Sequence, residues 1–200
     1  MEKKDYQRVL QLAEEGERLD KGLPGLLIQW KTARYEAYRH LSLKNEQKQL
    51  AKEFLLGGDY AYYPVLESLT AGDKEEFYKE TVAELKKGRD WRAREVYLKL
   101  ISDKNDLAEM LAYVRTSPSA IEGYADRLAA DYREEVERIY RDYIYKIAGS
   151  SNNRKEYQQV GGMLRRYQKV FGKESQSEIL LQLRAQYHKK SAFLDELSKV

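Results

Sequence analysis

Apolar residues recur along this 200-residue chain at steps of three and four, the spacing that lines one face of an α-helix. Between Glu134 and Ser150 the positions Val136, Ile139, Tyr140, Tyr143, Ile144 and Ile147 form one stripe, with Glu135, Arg138 and Arg141 filling the opposite face. Tyr157, Val160, Leu164, Tyr167 and Phe171 form a second that runs to Gly172, and Ile179, Leu180, Leu183 and Tyr187 a third. Upstream, Leu26, Trp30, Ala33, Ala37 and Leu41 make a stripe, followed by Phe77, Val82 and Leu85, then by Trp91, Val96, Tyr97, Leu100 and Ile101. No segment shows the period of two that a half-buried strand requires. The pattern predicts an all-α protein.

Turn and cap residues cut these stripes into units. Leu55-Leu56-Gly57-Gly58-Asp59-Tyr60 reads as a helix end, a glycine turn and an aspartate that caps the next helix, and Ile101-Ser102-Asp103-Lys104-Asn105-Asp106 as the same device further on. Thr116-Ser117-Pro118 reads as a cap followed by a proline in the first helical turn, where its missing N–H is not needed. Ser151-Asn152-Asn153 and Gly172-Lys173-Glu174-Ser175 open two more helices. Unit boundaries are expected at Asp59, Asp103, Ser117, Asn153 and Glu174, giving roughly a dozen helices of about 8 to 18 residues. Short loops force neighbouring helices antiparallel, and a hairpin that buries one face needs another hairpin against it. The expected fold is therefore a set of antiparallel helix hairpins stacked as a TPR-like α-solenoid, a single helical-repeat domain over residues 1–200, with unit spacing of about 30 to 45 residues. A closed multi-helix bundle is the structural alternative.

Composition narrows the classes. The chain is 42% hydrophobic and 34% charged, with three prolines and twelve glycines, as for a folded globular protein. It has no cysteine, which excludes disulfides, thiolate metal sites and cysteine nucleophiles. No stretch approaches the ~18 apolar residues of a membrane span. The opening Met-Glu-Lys-Lys-Asp-Tyr lacks the apolar core of a signal peptide, so a cytoplasmic location and no membrane partner are expected. The net charge of +3 is slight for a dedicated nucleic-acid module.

Candidate chemistry is sparse. His40 and His188 are the only histidines, and neither is followed three or four residues on by a carboxylate or a second histidine. Gly57-Gly58 and Gly161-Gly162 lack the Gly-Lys-Ser/Thr of a phosphate loop; the second pair falls inside a helical stripe, where it permits close approach of a neighbour. Glu14-Glu15, Glu75-Glu76 and Glu134-Glu135 read as exposed helix faces. No catalytic, cofactor-binding or metal-binding residue is assigned, and a non-enzymatic binding scaffold is expected.

Tyrosine is the unusual component, at 17 residues. Tyr97, Tyr140, Tyr143, Tyr157 and Tyr167 fall on apolar stripes and read as packing. Tyr60, Tyr62 and Tyr63 sit together beside a glycine turn and are the candidate partner-binding residues, lining a groove for a protein or peptide. From Ala148 onward ten Lys or Arg stand against five Asp or Glu. Arg154, Arg165, Arg166, Lys169 and Lys173 are therefore candidate phosphate contacts for an alternative, nucleic-acid-binding role, which requires them to share one surface. The other reading of these cations is a solvated helix face.

The runs Ser151-Asn152-Asn153-Arg154-Lys155-Glu156-Tyr157, Leu164-Arg165-Arg166-Tyr167-Gln168-Lys169, Gly172-Lys173 and Leu183 through Leu197 resemble the C-terminal helical region of bacterial SWIM zinc-finger proteins. The likeness extends back through Ala51-Lys52-Glu53-Phe54-Leu55-Leu56-Gly57-Gly58-Asp59-Tyr60. It implies a helical array preceded, in a longer protein, by a small Cys-x-Cys…Cys-x-His finger associated with DNA or protein binding. With no cysteine here, the finger's zinc ligands have no counterpart in this chain.

Overall fold

The computed structural model describes residues 3–88 and 90–200, with side chains from Asp5 onward. Met1 and Glu2, where the reading of the chain's opening begins, lie outside the described residues. The chain forms α1 (Lys3–Leu19), α2 (Pro24–His40), α3 (Lys44–Leu56), α4 (Tyr62–Leu69), α5 (Lys74–Lys87), α6 (Trp91–Asp103), α7 (Leu107–Thr116), α8 (Ile121–Ser150), α9 (Arg154–Phe171), α10 (Lys173–Gln186) and α11 (Ser191–Leu197). Among the described residues there is no strand, and no helix is long and apolar enough to cross a membrane. The fold is all-α.

Among the described residues side-chain caps set four of the starts, with corrections to the expected boundaries. Asp73, Asp90, Asp106 and Asn153 accept hydrogen bonds from the backbone N–H groups of Glu75, Arg92, Glu109 and Glu156 at 2.8, 3.1, 3.0 and 3.1 Å. Glu156 reaches back to the N–H of Asn152 at 2.6 Å, closing a reciprocal cap. The cap read at Asp103 is Asp106; Asp103 is the last residue of α6. Asp59 accepts from the N–H of Ala61 at 3.0 Å, so it braces the turn before α4 and not the helix. The Ser117 side chain caps nothing, and Pro118 opens a single 3-10 turn, Pro118–Ala120, that runs into α8. The stripe from Glu134 to Ser150 belongs to one 30-residue α8, longer than the expected range of about 8 to 18 residues and kinked at Tyr132 (φ −128°, ψ 34°). Gly172, at φ +95°, ends α9 and starts α10 with no linker, a conformation a side chain would resist.

Contacts divide the chain into two compact units, residues 1–104 and 105–200. In the first, α1 packs on α2, α2 on α3, α3 on α4 and α6, and α5 on α6, around Leu50, Leu55, Leu66, Leu85, Leu100 and Ile101. Trp30 lies against Gly16, where a Cβ would come within 2.3 Å of the indole, and donates its Nε1–H to Asp20 at 2.7 Å. Trp91, the first residue of α6, falls out of phase with the buried Ala93, Val96, Tyr97, Leu100 and Ile101 and is 58% exposed.

In the second unit α7 and the 3-10 turn pack on α8, α8 on α9 and α10, and α9 on α10 and α11. The buried row of α8 is Val136, Tyr140, Ile144 and Ala148, four residues apart at each step. Tyr140 meets Tyr167 edge-on at 5.4 Å, and Phe171 closes against Tyr167 at 4.7 Å. Glu137 then ties three helices together. Its Oε1 accepts from the Tyr167 hydroxyl at 2.9 Å and from the Ser175 hydroxyl, while Arg141 reaches Glu137, Ser175 and Glu178 at 3.4, 3.1 and 3.2 Å. Burial pushes the Glu137 carboxyl up, but the bonds from Ser175 and Tyr167 and the charge of Arg141 outweigh it and hold the group below its ordinary range. The triangle of α8, α9 and α10 is what a helical repeat makes between one hairpin and the next helix, and also what a three-helix bundle makes.

Gly161 is buried in α9, and a Cβ there would stand 3.2 Å from Val200 Cγ2, so this glycine does admit a close neighbour. At Gly162 a Cβ would meet only the flexible guanidinium of Arg166, at 3.4 Å. Gly162→Ala therefore raises stability by about 0.5–1 kcal/mol through helix propensity, read as a higher urea midpoint at unchanged slope. Gly161→Ala gains less.

Candidate functional site

Beyond its kink, α8 carries more apolar surface than its neighbours cover. Val136, Ile139, Tyr140, Tyr143, Ile144 and Ile147 span an arc of about 140° at 100° per residue. The row Val136–Tyr140–Ile144–Ala148 is buried, whereas Ile139, Tyr143 and Ile147 stay half-exposed. The helix α7 stops at Thr116, and Pro118 of the 3-10 turn that follows lines one pocket with Ile139 and Tyr143 of this second row. A groove of about 270 Å³ results, with Pro118, Ile139 and Tyr143 as its apolar lining.

Charges frame it. At one end Arg115 donates Nε–H and Nη2–H to the two carboxylate oxygens of Glu135, each at 2.8 Å, a forked pair that joins the last turn of α7 to α8 just past the kink. The hydrogen bonds from Arg115 hold the Glu135 carboxyl below its ordinary range against the opposing effect of burial. Along the rim lie Arg138, Asp142 and Lys146. Arg138 is 3.9 Å from Glu135 and largely exposed; Asp142 and Lys146 form no ion pair among the described residues. Both oxygens of the groove's one paired carboxylate are occupied. The groove thus offers apolar contact bordered by charge.

The tyrosines singled out in the first unit are brought together but used for packing. Tyr63 is 3% exposed and lies against Phe77 at 5.7 Å. Tyr62 stacks on Phe54 at 4.6 Å and meets Tyr35 edge-on at 5.1 Å. Tyr60 runs parallel to Tyr63 at 6.0 Å under the Lys99 ammonium, 4.8 Å from its centroid, and burial together with a hydrogen bond to Asp103 pushes its hydroxyl well up. Tyr60 and Tyr62 stay partly exposed. The nearby cleft, about 140 Å³ between α3 and α5, is lined by other residues and bridged by the Lys52–Glu84 pair at 2.7 Å.

The basic residues divide. Arg154 is held by Asp195 and, at 2.8 Å, by Glu196; Arg166 pairs with Glu122 at 2.5 Å; Arg165 reaches the carbonyl of Lys199 at 3.5 Å. Lys169 and Lys173 are exposed and unpaired among the described residues. His40 stacks on Tyr6 at 4.2 Å and His188 Nδ1 lies 3.0 Å from the carbonyl of Ala185. Among the described residues no three of His, Cys, Asp and Glu are grouped to hold a metal ion.

Ile139 and Tyr143 were legible as apolar positions, but the row they form reads as core. The width of the arc is the signal that separates a second, open row from a buried one. No family model, curated protein or solved structure matches the chain.

Glu196 gives the second unit a pH signature. Its hydrogen bonds from Arg154 and Lys199 outweigh burial and lower it from 4.5 to about 2. A depressed carboxyl contributes stability above its unfolded value and loses that contribution as pH falls through the folded one. The Tyr157–Phe193 stack that seats α11, with centroids 4.7 Å apart, should therefore hold at neutral pH and loosen progressively below about pH 4.5. In Glu196→Gln the acid step of this pair's aromatic resonances should shrink in an NMR titration, the remainder coming from Asp195, which the same Arg154 and Lys199 hold below its ordinary range.

Proposed function

We propose that this chain is a non-enzymatic scaffold for protein–protein interaction, which receives an amphipathic helix in the groove between the 3-10 turn and the second half of α8. The observation that carries the reading is the half-exposed row of Ile139 and Tyr143, set in a groove closed at one end by the Arg115–Glu135 fork. Helix-in-groove recognition needs an apolar channel for residues spaced three and four apart, with a polar rim that sets orientation. Both are present. A cytoplasmic setting belongs to this proposal.

A displayed library of amphipathic helical peptides tests it. Binders selected on the wild-type chain should lose at least about tenfold in affinity to Ile139→Asp, which buries a charge against the partner's apolar face. Absence of binders, or binders indifferent to that substitution, counts against the reading.

A further inference from the structure

Resting on that groove, we propose that the helix it takes is α8 of a second copy of this chain. Beside the apolar row of Ile139 and Tyr143 runs a row of charges four residues apart: Glu134, Arg138, Asp142 and Lys146. Within the chain these charges are nearly unused. Arg138 comes no closer than 3.9 Å to Glu135, and Glu134, Asp142 and Lys146 form no ion pair among the described residues.

The row alternates acidic, basic, acidic, basic, and read from its other end it alternates in the opposite phase. Two such rows laid antiparallel are complementary at every position. Arg138 faces the second copy's Asp142 and Glu134 faces the second copy's Lys146, and a two-fold axis between Arg138 and Asp142 repeats both pairs. Laid parallel and in register, each charge would meet its own kind. Rows of four-residue spacing are also the ridges that interdigitate when two helices cross at about −50°. Ile139 and Tyr143 then pack around the axis, where an isologous contact places its apolar centre, and the charges form the rim. A contact of one helix face per copy is small and its rim is solvated, so the dimer is weak and salt-dependent.

Sedimentation equilibrium at about 10–300 µM chain, a range suited to weak association, reads the proposal. The wild type should dimerise, and association should fall severalfold between about 50 mM and 500 mM salt. Arg138→Glu and Asp142→Lys each set like charges across the axis twice and should weaken the dimer at least about tenfold. Combined, R138E/D142K restores opposite charges at every facing position, and association should return to near the wild-type level. Circular dichroism on each variant separates lost association from lost folding. A monomer across the whole range, a dimer indifferent to R138E, or a folded double variant that fails to recover overturns the proposal. If peptide binders that depend on Ile139 are found on such a monomer, the groove stands as a site and only the identity of its occupant falls.

Discussion

The second unit depends on one row of side chains. Val136, Tyr140, Ile144 and Ala148 are each at most 1% exposed, and they define which side of α8 faces α9. A helix offers a partner only part of its circumference, so committing this row leaves the next one, Ile139 and Tyr143, to whatever else is near. What is near is a ten-residue α7 and a single 3-10 turn, too short to cover it. The open groove is thus the complement of the buried row.

Polar contacts fix the register that the apolar row alone would leave loose. Leucine, valine and tyrosine surfaces tolerate small slides, whereas a half-buried carboxylate does not, because losing a donor leaves it unsatisfied in a medium that penalises charge. Glu137 takes donors from α9, from α10 and from its own helix, and so holds α8, α9 and α10 at one relative height. Arg154 plays the matching part for α11, between Asp195 and Glu196. These pairs take two of the candidate arginines out of a free basic surface. Arg154 and Arg166 neutralise carboxylates of the chain itself, which removes support from a shared phosphate-binding surface and leaves Lys169 and Lys173 as solvated cations.

The helical class and most of the core were legible because both depend on local spacing. Tyr140, Tyr157, Leu164 and Tyr167 fell on stripes and are buried, and Asn153 was read as a cap and is one. What the spacing could not supply is what each stripe faces. It placed Tyr60, Tyr62 and Tyr63 beside a turn without showing that Phe54, Phe77 and Lys99 would close over them. It gave Ile139 and Tyr143 the same apolar mark as Tyr140, since exposure is set by neighbours distant in sequence. The length of α8 exceeds the expected range, and its kink went unread because no glycine or proline stands at Tyr132 to announce it.

That kink has a geometric consequence for the groove. Its wall belongs to α7 and the 3-10 turn, which pack on α8, and its floor to the part of α8 beyond Tyr132. The angle at Tyr132 lies between the wall, which runs directly into Ile121, and that floor. Two ties hold that angle. The Arg115–Glu135 fork crosses from the wall to the first turn past the kink, and Arg133 donates to the carbonyl of Phe171 at 3.2 Å while its guanidinium lies 5.5 Å from that ring's centroid. One tie runs to α7 and the other to the end of α9, so the segment just past the kink is held by two neighbouring helices. A groove held from two neighbouring helices is preformed, and a preformed surface avoids the ordering cost that a loose one incurs when anything binds it.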